Sequence, residues 1–186
     1  MKKILKPLSR SEQIPLPVSD ATPLIYLARL GKLHLLKDLF NQVQIPPEVK
    51  VEAVDRGKTK GYSDAYVIEQ ALNDGWLTSP PLRIENISRS GALVEITGID
   101  IGEAQAIILT EQKGEKLVLV DQSNARQVAR QIGLTPRGTI FIILTATKRK
   151  LISREDAQQM LETLIEANFY LSAKIYRDTL KAIERL

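Results

Sequence analysis

The chain contains no cysteine and a single histidine, His34. The first absence excludes disulfides, thiolate metal sites, iron–sulfur clusters and cysteine nucleophiles, and fits a reducing, cytoplasmic setting. The second leaves no three-histidine zinc site, and any Ser-His-Asp triad would have to use His34 itself. That residue lies between Leu33 and Leu35 and reads as a surface or boundary position. Long hydrophobic runs are missing as well. No apolar stretch outlasts Ile140 to Leu144, against the roughly 20 residues needed to cross a bilayer. Charge, by contrast, is abundant: of 186 residues, 26 are Lys or Arg and 22 are Asp or Glu, for a formal charge of +4 and a pI near 9.3. The balance fits an anionic partner without demanding one. A 44% apolar content suffices for the core of one domain. If this chain does chemistry, carboxylates are its instruments.

Residues 1–16 read as a basic, Pro-interrupted arm. They open with charge like a secretory signal, but Lys6, Arg10 and Glu12 fall where an apolar core of at least about 7 residues should lie. Residues 17–186 read as one domain with helices at its C-terminal end. Pro17-Val18-Ser19 is extended and ends at Asp20. Thr22 as N-cap and Pro23 at the first helical position predict a helix from Pro23, with two short helices meeting at Gly31. Val43 to Ile45 is a strand candidate, Glu48 to Val54 one or two helical turns, Arg56 to Gly61 a basic loop, Tyr62 to Leu72 a helix and Trp76 to Thr78 a strand. Gly102 to Lys113 is rich in helix formers. Lys116 to Asp121 reads as a strand whose consecutive apolar residues suit a sheet covered on both faces. Helices follow over Ser123 to Gln131 and, from length and a basic end, Thr139 to Lys150. Ser153 with Asp156 forms a capping box, and Ser172 is a further cap. Strands alternating with helices predict an α/β fold with a mainly parallel sheet.

In open parallel sheets, ligands bind outside the carboxyl ends of the strands. Asp20 and Asp121 close two strands and are expected on the same edge. Glu103 falls in the first turn of the helix preceding the Asp121 strand. Oxygen-only ligands of this kind suit Mg²⁺ or Mn²⁺ and metal-assisted phosphodiester hydrolysis. Each residue also has a structural reading. Asp20 can form an Asx-type turn, Thr22 a cap, and Asp100 with Glu103 a capping box. Asp121 is least readily explained this way, since an apolar strand gains nothing from a charge. Lys148-Arg149-Lys150 completes a helix C-terminus, where positive charge is expected. A G-x-G-x-x-G motif is absent. Gly133 to Thr139, GLTPRGT, has the glycine spacing of a phosphate loop but no lysine where one is required, and is rejected as a nucleotide site.

Ser19-Asp20-Ala21-Thr22-Pro23-Leu24-Ile25, the IPPEVKVEAV stretch, Asp100-Ile101-Gly102-Glu103-Ala104-Gln105-Ala106-Ile107 and Leu119-Val120-Asp121 with Ala125-Arg126-Gln127-Val128-Ala129 follow one another in the chain. Together with the downstream GLTPRGT, their order resembles that of PIN-like proteins, uncharacterised prokaryotic relatives of the VapC-type toxin ribonucleases. The resemblance covers nearly everything after residue 17. It implies a three-layer α/β/α domain with a metal-dependent ribonuclease site, and plausible membership of a toxin–antitoxin pair, with RNA as substrate, an antitoxin protein as partner and a homodimer as assembly. Residue by residue, it implies that Asp20, Glu103 and Asp121 hold Mg²⁺ or Mn²⁺. Glu52 would complete the shell or position water, Thr22 would orient water, and Arg126 or the Arg56, Lys58 and Lys60 segment would hold the RNA backbone. Two positions depart from the pattern: Ala21 stands where Thr or Ser is common, and Gln122 where an additional acid is common. The loss at Gln122 keeps open a weak or inactive module that binds RNA or protein without cutting.

Overall fold

The computed structural model describes residues 14–186. The basic arm expected over residues 1–16 therefore lies outside the described residues, except for Ile14, Pro15 and Leu16. Five short strands, β1 (Val18–Ser19), β2 (Val43–Gln44), β3 (Leu77–Thr78), β4 (Leu117–Leu119) and β5 (Thr135–Arg137), form an all-parallel sheet ordered β3-β2-β1-β4-β5. Parallel neighbours cannot be joined by tight hairpins, so helical crossovers cover both faces. The result is a three-layer α/β/α fold.

The apolar run of the second half shows how the layers are specified. Leu119 joins the core beneath α1 (Ala21–Arg29), α2 (His34–Phe40), α5 (Ser63–Asn73) and the helix α9 (Thr139–Lys148), through Leu24, Leu36, Ile68 and Ile142. Its neighbours Val118 and Val120 point the other way, into a second core with Val18, Ile107, Ala125 and Val128. That core lies beneath α7 (Ile101–Gln112) and α8 (Ser123–Gln131). Side chains on a strand alternate between faces, so four consecutive apolar residues serve two cores. Two C-terminal helices, α10 (Arg154–Glu166) and α11 (Ala173–Glu184), close the first core with Leu164 and Ile183. Ser153 and Ser172 cap them as expected, accepting the Asp156 N–H at 3.0 Å and the Ile175 N–H at 3.3 Å.

Several local expectations are corrected. The first helix starts at Ala21 and Asp20 is its N-cap, because the Asp20 carboxylate accepts the Thr22 N–H; Thr22 lies inside the first turn. The expected loop Arg56 to Gly61 is helical up to Thr59, with only Lys60 and Gly61 forming a turn. The helix α3 (Pro47–Lys50) runs through a π-helical segment, Val51–Arg56, into α4 (Gly57–Thr59). Gly57 serves packing there: a Cβ would lie 2.8 Å from that of Ala65. No element was expected between Ser79 and Gly98, yet α6 spans Ile84–Thr97. Its buried face carries Asn86 and Ser90, while Ile84 and Ile96 are 83% and 81% exposed. That inverted pattern conceals the helix from a hydrophobic period. β5 was also unexpected. It contains Pro136, which an edge strand tolerates.

Candidate active site

β1 and β4 are neighbours in register, Val18 opposite Val118 and Ser19 opposite Leu119. The chain leaving β1 stays tied to β4, the Asp20 N–H donating to the Leu119 carbonyl at 2.9 Å. Asp20 and Asp121 therefore emerge on the same sheet edge, as expected. Asp20 then turns into α1. Its Oδ2 accepts the Thr22 N–H at 3.5 Å, which is a long bond and a weak one. Only 4% of Asp20 is exposed. Burial, opposed by the Ala21 and Thr22 amides and assisted by the charges of Glu103 and Glu52, pushes its pKa up to about 7.

The point at which these acids meet is Gly102, the second residue of α7. A Cβ built there would sit 3.4 Å from Asp20 Oδ1, 3.4 Å from Glu52 Oε2 and 3.5 Å from Val49 Cγ2. Glycine thus lets two carboxylates from separate elements flank one spot on the helix. Glu52 reaches it from the π-helical segment, a rare geometry that re-aims side chains relative to a regular helix. Its pKa is raised, chiefly by burial of the carboxylate, with Arg56 opposing and Asp100 and Glu48 adding to the rise. Glu103 is buried. Its Oε2 accepts the Asp100 N–H at 3.1 Å, as a capping box requires. Its Oε1 is buried without a partner. Burial also raises the pKa of Glu103, against the Asp100 hydrogen bond and with the charges of Asp100 and Glu52.

Asp121 meets a different environment. It lies just past β4 and reaches the start of α9, where its Oδ1 accepts the Thr139 N–H at 2.8 Å and its Oδ2 the Thr139 hydroxyl at 2.6 Å. Burial raises its pKa, while both Thr139 bonds and the Arg126 charge oppose the rise. Gly138 makes this approach possible. Any Cβ there would collide with Asp121 Oδ1 and lie 3.1 Å from an Arg126 guanidinium nitrogen. The same guanidinium donates to the Val120 carbonyl at 3.2 Å.

The structure thus brings Asp20, Glu52 and Glu103 together and leaves Asp121 one strand away. Among the described residues, no three Asp, Glu or His side chains are arranged to hold a metal ion. The expected convergence of Asp20, Glu103 and Asp121 is not met, because Glu103 is turned to the Asp100 amide and Asp121 to Thr139. The donors nevertheless fit a hard divalent cation in kind: they are oxygens only, one buried oxygen lacks any partner, and the acids raise one another's pKa values. Of the expected backbone-holding residues, Arg56 pairs with Glu48 at 2.8 Å and Lys58 with Glu69 at 2.7 Å, while Lys60 is exposed. Sequence reasoning left out Gly102, Thr139, Gly138 and the exposed Asp100, whose Oδ2 accepts the Gln122 amide at 3.4 Å. A signal existed for Gly102: a glycine in the first turn of a helix, where no turn needs it, marks a close approach.

Residues 16–185 match a protein-family model described as a PIN domain. A search of curated proteins gives no match.

Proposed function

The chain belongs to the PIN-domain family, whose fold is of nuclease type, and from that membership we propose that it is a Mg²⁺- or Mn²⁺-dependent endoribonuclease. The observation that carries the reading is the meeting of Asp20, Glu52 and Glu103 at Gly102, with one carboxylate oxygen unpartnered and Asp20 held near neutrality. Asp20 and Glu103 would hold the ion, with Glu52 on its exposed flank. Asp121 remains a candidate donor from the adjacent strand. An ionised carboxylate has about four lone-pair sites, and Thr139 occupies two of them. When bound, such an ion activates water and offsets charge developing on a phosphodiester.

The chain's own residues supply the rest. Thr22, half-buried in the first turn of α1, places a hydroxyl two residues from Asp20, where it can orient water. Arg126 offers a cation beside Asp121 toward which a phosphate can be drawn. Arg56 and Lys60 lie on or just after the segment that carries Glu52 and can add to backbone attraction. A place as the toxin of a two-component pair, with an antitoxin partner, a homodimeric assembly and a cytoplasmic setting, rests on the family resemblance. Among the described residues no helix is long and apolar enough to cross a membrane.

The test is cleavage of single-stranded RNA by the purified protein with Mn²⁺ or Mg²⁺ and with chelator. Asp20→Asn and Glu103→Gln should each lower metal-dependent turnover by more than the roughly 10–100-fold that losing a residue supporting a metal ligand costs. Activity that ignores chelator or both substitutions would end the proposal. A second reading, a PIN-like module that binds RNA or protein without cutting, draws on Gln122 and on the engagement of both Asp121 oxygens by Thr139. It requires the wild type to show no turnover at any concentration of either metal.

A further inference from the structure

We infer that Arg126, Arg130 and Arg137 form a binding site for consecutive backbone phosphates of single-stranded RNA, on the β5 side of the acid cluster. The inference deepens the ribonuclease reading and rests on it for the identity of the nucleic acid. It starts from a one-sided run of sequence: no Asp or Glu occurs between Asp121 and Glu155. The fold gathers the arginines of that run. Arg126 and Arg130 are four residues apart on α8 and so share a face. Arg137 ends the edge strand β5, against which α8 packs.

Val120 ties the group together. It accepts from Arg126 through its carbonyl at 3.2 Å and donates through its N–H to the Arg137 carbonyl at 2.7 Å. Both arginines are thereby fixed beside the residue that precedes Asp121. Arg137 also lies over the Phe141 ring, its guanidinium carbon 5.0 Å from the centroid, a contact that leaves its N–H donors free. None of the ion pairs among the described residues includes these arginines. Arg130 lies close enough to Arg137 for its charge, after burial, to depress the Arg137 pKa, so two cations stand together at the end of the edge strand. Guanidinium groups match phosphate oxygens in a bidentate fork, and an unpaired edge beside a sheet terminus leaves room for an extended strand. A duplex is not required.

The experiment measures binding of a fluorescent single-stranded RNA oligonucleotide to the full chain in chelator, across a salt series. Arg130→Gln and Arg137→Gln should each reduce the slope of log K against log salt by about 0.7 and weaken binding about fivefold at 0.1 M salt. Arg137→Lys, which keeps the charge but loses the guanidinium fork, should fall between wild type and Arg137→Gln. Arg89→Gln, which removes a cation already paired with Glu111 at 3.0 Å, should leave binding unchanged. Thermal melts verify that each variant is folded. Unchanged slopes in Arg130→Gln and Arg137→Gln would overturn the inference even where Mn²⁺-dependent cleavage is normal. Arginine-dependent binding by a protein that never cleaves would support this site while refuting the nuclease reading.

Discussion

Asp20 and Asp121 stand at the ends of adjacent parallel strands, the first buried and the second half-buried, and have opposite surroundings. Asp20 has a long hydrogen bond at 3.5 Å from Thr22, further support from the Ala21 amide, and two acidic neighbours. Asp121 has two short bonds from Thr139 and an arginine beside it. Both carboxylates accept an N–H at the start of a helix, but Asp20 does so among acids and Asp121 beside an arginine. The difference teaches that burial alone does not define a functional acid. What distinguishes the Asp20 side is that only two backbone amides oppose the burial of its charge, while two neighbouring acids add to the cost. The contrast also orders the edge by charge, with acids meeting at Gly102 and arginines gathered past Asp121.

The largest expected effect tests the sign of that difference. In the metal-free protein, folded Asp20 takes up its proton near pH 7, whereas the unfolded carboxyl does so near 3.8. The folded state therefore binds more protons between these values, and stability falls as pH rises through the window. Asp20→Asn keeps the N-cap acceptor and removes the charge. It should stabilise the metal-free protein at pH 8 by on the order of 2–4 kcal/mol. The gain should shrink as pH is lowered toward 5, and Mn²⁺ added to the wild type should narrow it. Urea unfolding at both pH values measures this. A destabilised Asp20→Asn protein at pH 8 would mean that the two aspartates are equally well compensated.

On the other side of the comparison the sign reverses. Thr139→Val preserves shape and β-branching and deletes the hydroxyl that donates to Asp121 Oδ2 at 2.6 Å. The loss of a hydrogen bond to a charged group should cost about 1.5–3 kcal/mol, while Thr139→Ser should recover most of it. The midpoint of denaturant unfolding at neutral pH gives the answer. No loss would leave Asp121 without the structural role that sets it apart from Asp20.

Much of this edge was legible in the sequence, because alternation and strand ends are local. The run Leu117 to Val120 specified a strand between two cores, and parallel pairing then placed Asp20 and Asp121 on one edge. What the sequence hid depends on partners distant in the chain. Glu103 makes the capping bond with one oxygen and leaves the other buried without a partner, which spacing alone cannot show. Asp121 looked unexplained because its partner, Thr139, lies in a strand-to-helix junction that reads as a degenerate phosphate loop. Glu52 depends on a π-helical segment that no hydrophobic period announces. The helix α6 was concealed because Asn86 and Ser90 face inward through hydrogen bonds, Asn86 to Gln112 at 2.8 Å and Ser90 to the Asn86 carbonyl at 2.8 Å.

The smallest effect on stability should come from the residue where the acids meet. Gly102 has no positive φ, so alanine can occupy its helical backbone without strain, and alanine gains up to about 1 kcal/mol over glycine in a helix. Against this stand contacts at 3.4 Å with Asp20 Oδ1 and Glu52 Oε2, close to the limit of ordinary van der Waals approach. The two terms nearly cancel, so Gly102→Ala should unfold within about 1 kcal/mol of the wild type. Its methyl would nevertheless separate the two carboxylates, and Mn²⁺ affinity, read from the metal dependence of the melting temperature, should fall about tenfold. Gly138→Ala, whose methyl would collide with Asp121, should instead lose stability outright. A Gly102→Ala protein with unchanged Mn²⁺ response would show that Asp20 and Glu52 do not act on a common ion, and would move the metal proposal to the Asp121 side of the edge.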